Sequence, residues 1–202
     1  MSLNLPKSSE INRFVAKTNF YKQAGITPKL RELIEQQIDR ITWANKVAPT
    51  TLNISSGEIT EFQSFEIRLK SQELDDSILV FIQKSVAYPI IFTIRGGRGS
   101  RAAAVLKSTK RTIVVSTEWQ AEISFELRGN STDALYKNYL LQLSPSFAAA
   151  DGDIDKYVEI TRIRRNIDAL SAKARKEMQI NKRQEIARER HELELELKEL
   201  LA

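Results

Sequence analysis

This chain has no cysteine, one histidine and two methionines in 202 residues. Without cysteine there are no disulfides, thiolate metal sites or cysteine nucleophiles, and a reducing cytoplasm suits the composition. The lone histidine, His191, lies among glutamates and cannot by itself form a metal centre or a triad. Although 42% of the residues are hydrophobic, no apolar run approaches the roughly 20 residues needed to cross a bilayer. The opening Met1-Ser2-Leu3-Asn4-Leu5-Pro6-Lys7 has no apolar core of signal-peptide length. A cytoplasmic protein with no membrane contact is the expectation.

What is present is a core-sized domain and a charged tail. A domain of about 150 residues can bury a real core. The net charge of +5 favours acidic partners or nucleic acid only weakly, because clustering matters more than the sum.

Local patterns predict most elements. Ile11, Phe14 and Val15 read as a short helix ahead of the pair Phe20 and Tyr21. Thr27-Pro28 announces a second helix, with Thr as N-cap and Pro at the first helical position. Leu30, Leu33, Ile34, Ile38 and Ile41 continue it at three-and-four spacing, with Pro49 as its terminator. Phe65, Ile67 and Leu69 alternate with Glu66, Arg68 and Lys70, the period of a half-buried strand. Residues 71–86 return to helical spacing, with Glu73, Asp75 and Asp76 in the first turns. Residues 90–94 read as a central strand, 95–101 as a turn and 102–107 as its returning strand. Residues 112–116 and 123–127 add two strands. Asn130-Ser131-Thr132 opens a helix that Ser144-Pro145 closes. The order predicts an α+β fold: a mainly antiparallel sheet with packed helices over residues 1–148, then a long C-terminal helical coiled-coil extension over 153–202.

Three constellations could carry function. Metal-dependent nucleases of the restriction-endonuclease type place an acid, a spacer and a Lys on one strand, with a second acid nearby, to hold Mg²⁺ and orient water. Glu66 fits the acid, with Glu58 or Glu61 upstream and Lys70 beyond, but Arg68 stands where the Lys belongs. Arg stays protonated and is bulkier, so it substitutes poorly. The bland alternative is a strand with one wet face. Outside that case no cofactor or metal is expected. The second constellation is the glycine-rich loop with Arg95, Arg98 and Arg101, which lacks the Gly-Lys-Ser/Thr of a nucleotide-phosphate loop. With Lys107, Lys110 and Arg111 it could hold a phosphate backbone; the bland alternative is a loop whose Arg residues keep a hairpin tip soluble.

The tail is the third and strongest signal. Ile160, Ile163, Ile167, Leu170 and Ala174 form a coiled-coil seam, and Ile186, Leu193, Leu197 and Leu200 form a second. As one helix, 153–202 would reach roughly 70 Å, too long to bury against its own domain, so its seam needs a partner or a second copy. The register falters where Asn181 takes a core position, so a folded-back hairpin stands as the rival to a straight rod. Residues 162–190 carry ten basic side chains against four acidic ones; from 191 onward there are four Glu against Lys198.

Several ordered segments resemble a bacterial family of uncharacterised proteins. They are Ser2-Leu3-Asn4-Leu5-Pro6-Lys7-Ser8; Ile41-Thr42-Trp43-Ala44-Asn45-Lys46-Val47-Ala48-Pro49 with Thr51-Leu52-Asn53-Ile54; and Phe65-Glu66-Ile67-Arg68-Leu69-Lys70. Tyr88-Pro89-Ile90-Ile91-Phe92, Ser116-Thr117-Glu118-Trp119 and Lys176-Glu177-Met178-Gln179-Ile180-Asn181-Lys182-Arg183 complete the set. The sequence departs from the family pattern at Arg68, where Lys is common, and in its 95–101 loop. Because members are often encoded beside Snf2-type helicases and adenine-specific DNA methyltransferases in antiviral defence regions, the resemblance implies a DNA-associated, restriction-modification setting. It transfers no active-site residues. The expected function is a non-enzymatic adaptor that assembles through its C-terminal helix with itself or with such a helicase or methyltransferase. A nuclease centred on Glu66, or a direct nucleic-acid binder, is the alternative.

Overall fold

Six strands form one sheet in simple sequence order. A computed structural model describes residues 3–23, 25–107 and 112–201. The chain divides into two compact units, Met1–Ser144 and Pro145–Ala202. In the first, β1 (Glu10–Val15), β2 (Ile38–Val47) and β3 (Phe62–Leu69) run as an antiparallel meander. Strand β4 (Ile90–Gly96) pairs parallel to β3, while β5 (Gly99–Lys107) and β6 (Thr112–Ser116) return antiparallel. The α+β class and the mainly antiparallel sheet are as expected. The parallel β3–β4 pair is made possible by a helical crossover, since a parallel neighbour needs a long connection.

That crossover is α4 (Asp76–Lys84), shorter than the expected 71–86. Glu73 lies outside it, and Asp75 is its N-cap, accepting from the Ser77 N–H at 2.9 Å. Hydrogen bonds from Ser77, side chain first and backbone second, hold the Asp75 carboxyl below its ordinary value of 3.8. A lowered folded pKa gives stability that is present above that ordinary value and is lost as pH falls through the folded one. Asp75→Asn keeps an acceptor cap, so at neutral pH it should cost no more than about 0.5 kcal/mol. Below about pH 4 it should lose less stability than the wild type. Urea midpoints measured across the acid range check this, and parallel acid profiles would refute it.

Helix α2 (Pro28–Gln37) starts as predicted, with Thr27 Oγ1 accepting from the Leu30 N–H at 3.2 Å. It ends earlier than predicted, because Ile38 already belongs to β2. A register shift between Ile38 and Arg40 lets Ile38 and Ile41 lie on one face of the strand although they are three residues apart. A β-bulge has therefore imitated helical spacing. Pro49 opens a short helix, α3 (Pro49–Leu52), just after β2 ends at Val47, and closes no helix. Ile11, Phe14 and Val15 belong to the edge strand β1 and not to a helix; the helix there is α1 (Lys17–Tyr21).

The main core fills one face of the sheet. Ile34 of α2 and Ile78, Leu79, Phe81 and Ile82 of α4 pack on Ile41, Phe65, Ile67, Phe92 and Ile94. Each such burial contributes about 1.5–3 kcal/mol. On the opposite face, α5 (Thr132–Leu143), capped by Ser131, brings Tyr136 and Tyr139 to Phe62, with ring centroids 5.4 and 6.0 Å away. Burial raises both tyrosine hydroxyls above their ordinary range; Tyr139 donates its proton to the Leu3 carbonyl at 2.6 Å. Residues 123–127 are not a strand. Ile123 and Phe125 are buried, but side chains satisfy the backbone: Gln142 bonds Glu126, and Asn4 reaches the Phe125 carbonyl.

In the second unit, α6 (Pro145–Ala149) sets Phe147 edge-on to Tyr157 of α7 (Ile154–Lys176), at 5.3 Å. The single long helix is replaced by two packed helices, α7 and α8 (Ile180–Leu201). The chain turns at residues 177–179, and Gln179 N–H donates to Glu177 Oε1 at 2.8 Å. Arg162 meets Glu196 at 3.5 Å, so the pair is antiparallel. Asn181 sits in the first turn of α8, two residues past the turn, so the chain reverses close to where the register falters. Among the described residues no helix is long and apolar enough to cross a membrane.

Candidate functional site

Alternation along β2, β3 and β4 decides which side chains remain on the sheet face that lacks α2 and α4. At one end of that face α5 covers Phe62. At the other end the face is polar and open. A hollow of about 340 Å³ is lined by Asn12, Arg40, Thr42, Ala44, Glu66 and Arg68. A second hollow of about 210 Å³ continues it past Glu66, Thr93 and Arg95 towards Asn4 and Glu10.

The register gives this face a distinct feature. Arg40 pairs with Arg68, and Arg68 pairs with Arg95, so three arginines occupy one rung across three neighbouring strands. The next rung reads Thr42, Glu66, Thr93. Like charges directly opposite one another on a sheet are destabilising. Three local contacts offset part of that cost. Arg68 pairs with Asp39, which stands in the β2 bulge. Arg95 Nε lies 3.8 Å from Glu66 Oε1. The Arg40 guanidinium lies 5.3 Å from the ring centre of Phe14, which is 56% exposed. Exposed ion pairs of this kind contribute at most about 1 kcal/mol each.

The nuclease constellation is only partly assembled. Glu66 does lie on the open face, but the residues opposite it are Thr42 and Thr93, and neither Glu58 nor Lys70 lines its hollow. Lys70 Nζ donates to the Glu35 carbonyl at 3.0 Å. Glu61 is buried, 2.8 Å from Lys46 Nζ. Among the described residues no group of three His, Asp or Glu could hold a metal ion. Of these donors only Glu66 faces the hollow, an arrangement that does not fit Mg²⁺.

The arginine loop does not form one patch either. Arg95 is on the open face, whereas Arg101 pairs with Ile94 and so belongs to the α4 face. There Arg101 lies 3.1 Å from Asp76, and Arg98 lies 2.6 Å from Glu73. Lys107 is exposed at the far end of β5; Lys110 and Arg111 lie outside the described residues. Sequence reasoning missed Arg40 and Phe14. A helical reading of β1 and of the start of β2 scattered them, and the rung becomes visible only once those segments are strands.

The hairpin offers a second surface. Ile160, Ile163 and Ile186 are buried, while Ile167, Leu170, Ala174, Leu193, Leu197 and Leu200 are half-buried. A hollow of about 480 Å³ between the helices is bordered by Leu170 and Leu193.

The fold and these two surfaces define an α+β protein with a polar, arginine-bearing sheet face and a helical hairpin. The chain belongs to the DUF4391 family, a domain of unknown function, whose model matches residues 3–197. No curated protein and no solved structure matches it.

Proposed function

We propose that this protein is a non-enzymatic cytoplasmic adaptor that pairs with a second copy through its C-terminal hairpin and serves a larger DNA-processing assembly. The half-covered seam carries the reading. Two antiparallel helices can cover only one side of each other, and a second hairpin would close the other side as a four-helix coiled-coil arrangement. Charge selects the occupant. The hairpin turn carries Lys173, Arg175, Lys176, Lys182 and Arg183 against Glu177, while the far end of α8 carries Glu192, Glu194, Glu196 and Glu199 against Lys198, beside an α7 start that mixes Asp155 and Glu159 with Lys156, Arg162, Arg164 and Arg165. Two copies packed antiparallel by a twofold axis would set each basic turn beside the glutamate-rich end of the other's α8. The family resemblance supplies the setting, a helicase or methyltransferase of a defence region.

Light scattering after size exclusion should give twice the monomer mass, with dissociation promoted by salt and by Leu193→Asp. A strict monomer across micromolar concentrations, alone and with the neighbouring gene products, would sink this reading. Mg²⁺-dependent DNA cleavage lost in Glu66→Ala would replace it with the nuclease.

A further inference from the structure

We infer that the Arg40–Arg68–Arg95 rung is a binding site for the phosphate backbone of a single-stranded nucleic acid, with Phe14 as a stacking platform for a base at its edge. The inference stands apart from the hairpin reading, since it concerns only the sheet. The fold does not require the rung. All three arginines lie on the face away from the α2–α4 core, and threonines serve the flanking strands on the next rung. Three cations side by side are a standing cost, and an anion laid across them removes it. Adjacent strands stand about 4.8 Å apart, so the rung extends over roughly 10 Å. A nucleic-acid strand carries one phosphate per about 3.4 Å of axis in a duplex, so a single phosphate would leave part of the rung unused. Arginine has five N–H donors and one carboxylate takes at most two; Asp39 pairs with Arg68, while Glu66 only approaches Arg95, at 3.8 Å.

The strand is single because the site is a trough. Duplexes are read by helices or ribbons that protrude into a groove, whereas here the ligand must lie down on the sheet. Phe14 is the only large apolar side chain beside the rung that is more than half exposed among the described residues, and Arg40 lies against its ring. An aromatic face beside a guanidinium suits an unpaired base, and it tolerates any sequence. Asn12, Thr42 and Thr93 supply neutral hydrogen-bonding groups around the trough.

The test is fluorescence anisotropy of the full chain with labelled oligo-dT over a salt series, with a duplex of equal length as comparison. The wild type should bind oligo-dT with an affinity that falls steeply with salt, and more tightly than the duplex. Arg40→Ala/Arg68→Ala/Arg95→Ala should bind at least tenfold more weakly and lower the log–log salt slope by about 2, from three phosphates at roughly 0.7 each. Phe14→Ala should bind about fivefold or more weakly with an unchanged slope. Circular-dichroism melting checks folding. If the triple variant unfolds, Arg40→Gln and Arg68→Gln singly must each reduce the slope. Any of three results overturns the inference: no wild-type binding at low salt, unchanged slopes in the folded arginine variants, or equal duplex binding with no effect of Phe14→Ala.

Discussion

Phe62→Ala should destabilise the protein by about 3–5 kcal/mol, while Phe14→Ala should change stability by no more than about 0.5 kcal/mol. Both phenylalanines lie on the same face of one sheet. Phe62 is fully buried, and its ring meets Tyr136 and Tyr139 of α5 at 5.4 and 6.0 Å. Removing it leaves a cavity between two elements that α5 cannot collapse without losing the Tyr139 bond to Leu3. Phe14 is 56% exposed and contributes little apolar burial. Urea unfolding should show the Phe62→Ala midpoint well below the wild type at an unchanged slope. Equal midpoints for the two variants would mean that α5 does not cover this end of the face.

Gly99→Ala is the second large effect. Gly99 has φ +108, and a Cβ there would stand 2.3 Å from the Gln120 carbonyl oxygen. That oxygen cannot withdraw freely. It accepts from the Ser100 N–H at 2.7 Å, and Gln120 N–H donates back to the Ser100 carbonyl at 2.9 Å. The backbone conformation alone costs about 1–3 kcal/mol for a residue with a side chain, and loss of the reciprocal bonds adds about 0.5–1.5 kcal/mol each. Gly97→Ala in the same turn meets nothing closer than 3.8 Å, so its midpoint should stay within about 0.5 kcal/mol of the wild type. Thermal melts of the pair compare a residue that must be glycine with one that need not be. A tolerated Gly99→Ala would contradict the described close approach.

The elements legible in the sequence carry their signal locally. Thr27-Pro28 and Ser131 begin helices by bonding their own first turns. The start of β4 after Tyr88-Pro89, the glycine turn and β6 were readable for the same reason. The errors arose where pairing partners are remote. Ile38 and Ile41 suit a helix by spacing, yet they pair with Leu69 and Ile67, roughly thirty residues on, across a bulge. Residues 123–127 alternate like a strand, but they form no more than an isolated bridge at Ser124, and the side chains of Gln142 and Asn4 bond the backbone of Glu126 and Phe125. The tail's two seams were legible as seams. Their mutual packing was legible only as the rival to a straight rod, because neither helix encodes which partner covers it.

The same division separates composition from site. By itself the sequence determined the α+β class, the absence of thiol chemistry and of any histidine cluster, and the charge polarity of the tail. These depend on residue types and short-range spacing. Tertiary structure decided the rest. Strand register set Arg40, Arg68 and Arg95 on one rung and sent Arg101 to the other face, because hydrogen bonding between strands fixes which residues stand side by side. The turn at residues 177–179 made a hairpin of the tail, because an apolar seam is better covered by a nearby helix than left in water.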